Sequence, residues 1–227
     1  MLASLASHPV FITAAAMVLA FCLSLALGRA ARALQQRLLA SPEDFSAPSS
    51  AQRRTSAAFL PIAAMGFAGA SIWAFGATFA TPAAILFTVM LLVLARVDAE
   101  TGLLPDLLTQ PLLWLGLLVN LNGTFASLHD AVLGAVGGYL ILWSVYQGFL
   151  LLTGREGLGH GDFKLLAALG AWLGWTALPW VLLAASSLGL VAALCLRATG
   201  RMAAGDTLSF GPWLAAAGII VLFGSTG

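Results

Sequence analysis

Two acidic stretches carry the side chains best suited to chemistry. The first reads Arg96-Val97-Asp98-Ala99-Glu100-Thr101-Gly102-Leu103-Leu104-Pro105-Asp106. The second reads Gly154-Arg155-Glu156-Gly157-Leu158-Gly159-His160-Gly161-Asp162-Phe163-Lys164. Asp98 closes one apolar run and Asp162 opens another. Ionisable groups at membrane depth are costly, so they face a bundle interior or a water cavity and often mark function. Carboxylates from two helices can share one site, where both do not ionise easily; one pKa rises and the pair holds a single proton. The ionised member can take a proton from water as the water attacks a peptide carbonyl. The protonated member polarises that carbonyl and later assists departure of the amine. Neither a metal nor a nucleophilic side chain is required.

The neighbouring residues admit more than one role. Gly157, Gly159 and Gly161 leave room for a substrate backbone and permit unusual backbone angles. A helix opening at Asp162 would set free N–H groups and a positive dipole end beside the carboxylate, although Asp162 also reads as a plain N-cap after a glycine-rich loop. Asp106 competes with Asp98 for the first acidic position, but a Pro-Asp pair before an apolar run is also an ordinary helix start. Glu100 and Glu156 are expected to face solvent or to pair with Arg96 and Arg155. Lys164 could favour an ionised Asp162 or meet a lipid phosphate, and His160 reads as a neutral, solvated loop residue.

These groups must be held by helices in lipid. Of the 227 residues, 60% are hydrophobic and 8% charged, against about a quarter charged in an ordinary soluble domain. So few charges cannot cover a water-facing surface. The net charge of +1 gives no case for a nucleic-acid partner. Cys22 and Cys195 lie in apolar runs and form no CxxC pair, so they read as small core residues. Apolar runs of the length a spanning helix needs fall near 9–28, 58–76, 79–97, 107–123, 131–153, 163–178, 180–197 and 208–224. The expected fold class is therefore all-α, a polytopic transmembrane bundle of about eight spans. Only Pro179 and its neighbours separate the sixth run from the seventh. The expected organisation is a first helix with a short basic loop, 1–57, followed by a helical bundle over 58–227 that carries the two aspartates.

Charge sets the orientation. The stretch 9–28 has no positive charge before it and five arginines after it, the reverse of a secretory signal. With the N-terminus outside, all ten Lys and Arg residues fall on the inner side, in the loop 29–57 and beside Arg96, Arg155, Lys164, Arg197 and Arg201. The positive-inside rule thus places Asp98 and Asp162 at the cytoplasmic boundary. The loop arginines are expected to touch anionic lipid headgroups. Trp114, Trp143, Trp172, Trp175, Trp180 and Trp213 read as packing or interface anchors, and Asn120 and Asn122 as interhelical hydrogen-bonding residues.

The sequence GHGDFKLLAALGAWLG resembles the GxGD signature of the type IV prepilin peptidases, bacterial membrane aspartic proteases. VDAETGLLPDLLTQPLLWLGLLVN resembles the family's other acidic block, and SFGPWLAAAG its final helix. The resemblance runs from about residue 85 onward. It implies a catalytic pair at Asp98 and Asp162; from the residues themselves Gly159, Gly161, Lys164 and Asp106 are expected to support the loop or the substrate, with neither a metal nor another cofactor. It also implies an inner-membrane endopeptidase that removes basic leaders from prepilins or pseudopilins for pilus or type II secretion assemblies. Many members carry paired CxxC motifs in a larger cytoplasmic domain and methylate the product with S-adenosylmethionine. Here the corresponding place holds only 29–57, without a cysteine, so methylation is not carried over with the peptidase chemistry. The rival readings are a small transporter or channel, whose acidic groups would lie nearer the midplane, and an inactive scaffold of such an assembly. Nothing in the sequence sets the oligomeric state.

Overall fold

The computed structural model describes residues 16–18, 20–29, 33, 50–154, 159–201 and 208–225, with backbone alone for 50–59. Every regular element among the described residues is helical: α1 (Ser50–Phe75), α2 (Ala80–Thr101), α3 (Asp106–Val119), α4 (Leu128–Thr153), α5 (His160–Leu173), α6 (Leu178–Ala198) and α7 (Gly211–Gly224). Short 3₁₀ turns occupy Asn120–Asn122 and Trp175–Ala177, and a further apolar helix runs over Ala16–Arg29. By length and hydropathy three helical stretches are able to cross a membrane, Ala80–Thr101, Leu128–Thr153 and Trp175–Ala198. Leu60–Phe75 and Gly211–Gly224 are shorter apolar helices. The fold is a helical membrane bundle. α4 leaves Trp143, Phe149, Leu151 and Leu152 exposed, and α6 leaves Trp180, Leu183, Leu190 and Leu194 exposed. Apolar faces of that extent suit lipid rather than water.

The chain divides into two compact units, Met1–Val93 and Leu94–Gly227. In the first, Ala20, Ala64, Ala68, Ile85 and Val89 form a small core, with Met17, Leu23 and Leu27 packed against it. In the second, α5 is the hub, packed against α3, α4 and α7. Its residues from Asp162 to Trp172 are buried except Lys164, as befits a helix that is apolar on every side.

Small residues make that packing close. A Cβ on Gly134 of α4 would collide with the backbone of Gly170 on α5, and the reverse holds as well. One turn along α4, a Cβ on Gly138 would lie 2.6 Å from the Leu166 carbonyl oxygen. In lipid, helix association gains little from the hydrophobic effect and depends on such backbone approach and on interhelical hydrogen bonds. Asn120 supplies those bonds. Its amide nitrogen donates to the carbonyls of Ala171 and Trp172, both at 2.9 Å, and its oxygen accepts from the N–H groups of Phe125 and Ala126. The Trp172 indole donates to the Leu112 carbonyl at 2.7 Å. The end of α5 is thereby tied to α3 and the turn that follows it.

Several boundaries differ from the sequence reading. α1 begins at Ser50, ahead of the apolar run at 58, so Arg53 and Arg54 lie on a helix and not in a loop. The break between the sixth and seventh runs falls at Gly174, where φ is +82°, while Pro179 sits in the first turn of α6. Proline is well suited there because first-turn N–H groups have no intrahelical partner. Cys22 and Cys195 are exposed, not core residues. Asn122 is exposed too, leaving Asn120 as the interhelical asparagine. Arg155, Glu156 and Gly157, and nearly all of 30–49, lie outside the described residues.

The crossing of α4 and α5 yields a measurable expectation. Gly170→Ala forces a methyl group into the Gly134 backbone and should cost about 3 kcal/mol or more, seen as a lowered melting temperature in detergent. Gly148→Ala, whose Cβ would meet nothing within 4 Å, should be neutral or stabilise by about 0.5–1 kcal/mol.

Candidate active site

Asp98 and Asp162 both belong to the second unit, and both are buried, at 4% and 7% exposure. Asp98 lies one turn before the end of α2, where its carbonyl accepts from the N–H of Gly102 at 2.7 Å. Gly102 has φ +66°, the left-handed geometry that ends a helix at little cost when the residue is glycine. The Asp98 carboxyl reaches the start of α7: Oδ2 accepts from the Gly211 N–H at 3.1 Å, and the Ser209 side chain also hydrogen-bonds the carboxyl.

Asp162 sits in the first turn of α5, three residues past the N-cap Gly159, so it is not the cap. It precedes the apolar run 163–178. Burial pushes its carboxyl up from the ordinary aspartate range to about 7, and the negative charge of Asp98 adds to that rise; a backbone hydrogen bond at Gly159 opposes it. The two carboxyls therefore act on each other electrostatically, and Asp162 can hold a proton near neutral pH.

The other acidic and basic residues divide clearly. Asp106 has a partner of its own. It is the first residue of α3, after the N-cap Pro105, and its carboxylate is held by Lys164 through contacts of 2.6 and 2.8 Å from Nζ. The hydrogen bonds of Lys164 go to Asp106, joining the starts of α3 and α5. The pair is partly exposed, so its worth is about 1 kcal/mol or less. Glu100 pairs with Arg96 at 2.9 Å along α2, as its spacing suggested. His160 is exposed, and its ring packs on Tyr146 and Phe163 with centroids 5.0 and 5.5 Å away.

Neither Gly159 nor Gly161 has a positive φ, and of the two Gly161 alone is required by close packing. Gly159 has φ −76° and ψ 138°, which any residue adopts. A Cβ on it would reach Asp162 Oδ2 at 3.7 Å, an ordinary contact. Gly161 is tighter: a Cβ there would lie 2.7 Å from the Leu104 Cβ. The segment linking α2 and α3 thus rests directly on the first turn of α5. Ser209 and Gly211 are functional candidates that the sequence reading passed over. The run SFGPW entered only as part of the stretch resembling the family's final helix, with no role for these two residues.

Fold and site together define a class: a helical membrane protein with two buried, mutually interacting carboxyl groups near helix ends. Residues 85–194, which contain both aspartates, match the type IV leader peptidase family. The chain is 60% identical over 129 residues to a prepilin leader peptidase/N-methyltransferase of Dickeya chrysanthemi, covering 57% of this chain and 46% of that protein. It is 50% identical over 165 residues to the protein of the same name from Pectobacterium carotovorum subsp. carotovorum, covering 73% and 56%. A Pseudomonas aeruginosa relative of that name is 51% identical over 150 residues, covering 66% and 52%. The chain thus spans about half the length of the curated relatives it matches. No solved structure matches it.

The raised Asp162 carboxyl makes a stability prediction whose sign can be worked out. Its folded pKa, about 7, lies above the unfolded value near 3.9. Its favourable contribution is therefore complete below about pH 4 and is lost as pH rises through about 7. Asp162→Asn removes the ionisation. Relative to wild type the variant should gain stability between about pH 5 and pH 8, by a few kcal/mol at most. Thermal melts at several pH values check this; a constant difference across the range would contradict it.

Proposed function

We propose that this protein is an aspartic endopeptidase that removes the basic leader from type IV prepilins or pseudopilins, with Asp98 and Asp162 as its catalytic pair. The observation that carries the reading is the burial of two interacting carboxyls in one helical unit, one of which can hold a proton near neutral pH. The family match, and the names of relatives at 50–60% identity, support the substrate class.

The chemistry is balanced within the pair. The Asp98 carboxylate takes a proton from water as the water oxygen bonds to the scissile carbonyl carbon. Asp162 gives its proton to the carbonyl oxygen, leaving a neutral tetrahedral diol. Asp98 then passes its proton to the amide nitrogen and the C–N bond breaks. Asp162 recovers a proton from the diol, so the acid product and the free amine leave the pair as it began. Desolvation strengthens each of these electrostatic steps.

The basic residues favour an orientation in the bacterial inner membrane with both aspartates at the cytoplasmic face. There the pair would meet a substrate whose basic leader stays inside while its apolar helix remains in the bilayer. The relatives' printed name also includes N-methyltransferase. The sequence of this chain supplies no CxxC pair, and the reading proposed here is the peptidase step alone.

Co-expression with a tagged prepilin, followed by mass spectrometry of the product, tests the assignment. Asp98→Asn and Asp162→Asn should each reduce cleavage by about 10³-fold or more, since neither half of an acid–base pair works alone. Asp106→Asn should retain cleavage, because the Asp106 carboxylate is held by Lys164 and takes no part in the proposed proton transfers. Near-normal processing by either of the first two would remove the assignment. Flux of an ion or solute by a wild type that cleaves nothing would favour a transporter. The N-terminal mass of the product also shows whether a methyl group is added.

A further inference from the structure

We propose that Ser209 and Gly211 are positioning residues that determine which carboxyl is the base, by holding Asp98 in its ionised form at the start of α7. The inference rests on the peptidase reading above. A carboxylate accepts hydrogen bonds only, and both groups offered to Asp98 are able to donate: the Gly211 N–H at 3.1 Å and the Ser209 hydroxyl. Gly211 is the first residue of α7, so its N–H has no partner within the helix and points outward from the positive dipole end. Donors of this kind favour a charged acceptor.

The approach depends on glycine. A Cβ at position 211 would lie 2.5 Å from Asp98 Oδ2 and 2.9 Å from its Cγ. Any larger residue displaces the carboxyl. The contact also joins positions 113 residues apart in the chain, so it is not a by-product of local geometry. Among the described residues, the charged groups nearest Asp98 in the chain or packed with it either pair with one another or face it directly. Asp162 faces it from α5 and is negative when ionised. Arg96 and Glu100, on the same helix, pair with each other. Asp106 and Lys164 pair at the starts of α3 and α5. α7 carries no ionisable side chain. Each carboxyl takes one backbone hydrogen bond, Asp98 from Gly211 and Asp162 from Gly159, and the Ser209 hydroxyl is the further donor that Asp98 alone of the two receives.

The test uses the full chain in detergent with a synthetic peptide containing a basic leader and the start of an apolar helix, and follows kcat/KM against pH. In Ser209→Ala the acid limb should move to higher pH by about one unit, because a donor to the ionised form is lost. The basic limb, set by Asp162, should stay in place. Ser209→Thr, which keeps the hydroxyl, should return the acid limb to its wild-type position. Gly211→Ala should lower kcat by about a hundredfold with little change in KM, as expected for a displaced catalytic group. Thermal melts confirm that each variant is folded. An acid limb of Ser209→Ala that coincides with wild type, or Gly211→Ala cleaving within about twofold of wild type, overturns the inference while the peptidase reading stands. Absence of cleavage by wild type overturns both.

Discussion

Two carboxyl groups withdrawn from water into one helical unit impose a cost that shapes everything around them. Asp98 and Asp162 are nearly inaccessible, and an isolated buried carboxylate is destabilising by several kcal/mol unless it is protonated or hydrogen-bonded. The unit resolves the conflict asymmetrically. Asp98 is met by the start of α7, whereas Asp162 is raised towards neutrality by burial and by its neighbour's charge. The first of these uses the start of a helix, where unpaired N–H groups are available. The positions of α5 and α7 relative to α2 are thus constrained by charge as well as by packing.

The packing must then hold those helix ends within tenths of an ångström. In lipid the apolar side chains facing outward on α4 and α6 gain nothing by moving inward. Precision comes instead from close backbone contact and from satisfied polar groups. Gly134 and Gly170 bring α4 and α5 together. At the far end of α5, Asn120 spends both ends of its amide on four backbone groups. Near its start, Leu104 rests on Gly161 and Lys164 is bonded to Asp106. A helix fixed at both ends holds Asp162 at a defined depth and rotation. That rigidity has a thermodynamic cost, because it keeps an ionisable group where ionisation is unfavourable.

Much of this was legible in the sequence, and the exceptions have a common cause. Helices stand wherever an apolar run lay among the described residues, because a run bounded by Gly, Pro and polar residues is a local signal. Asp98 and Asp162 stood out because charge is rare in this chain. Relations between distant residues were not legible. Lys164 lies two positions from Asp162, yet it bonds Asp106, 58 residues away. Only the approach of α3 to α5 decides between those partners. The GxG spacing suggested unusual backbone angles, but Gly159 has ordinary ones, and Gly161 is required by a neighbour, Leu104, that sequence distance conceals. Pro179 looked like the breaker between two runs; Gly174, with its positive φ, does that work.

The contact of Ser209 and Gly211 with Asp98 extends the same point beyond the residues matched by the family. The family match covers residues 85–194 and so includes both carboxyls, but the residues that hold Asp98 lie beyond it, at the start of α7. A segment containing only the matched residues would keep Asp98 and Asp162 and lose the Ser209 and Gly211 donors to Asp98. Two carboxyls in like surroundings would share one proton with no fixed assignment of acid and base. Directed proton transfer requires their environments to be pushed apart. The smallest part of this chain able to sustain the proposed chemistry therefore runs at least from α2 through the first turn of α7. Its last glycine matters as much for what it leaves empty as for the hydrogen bond it donates.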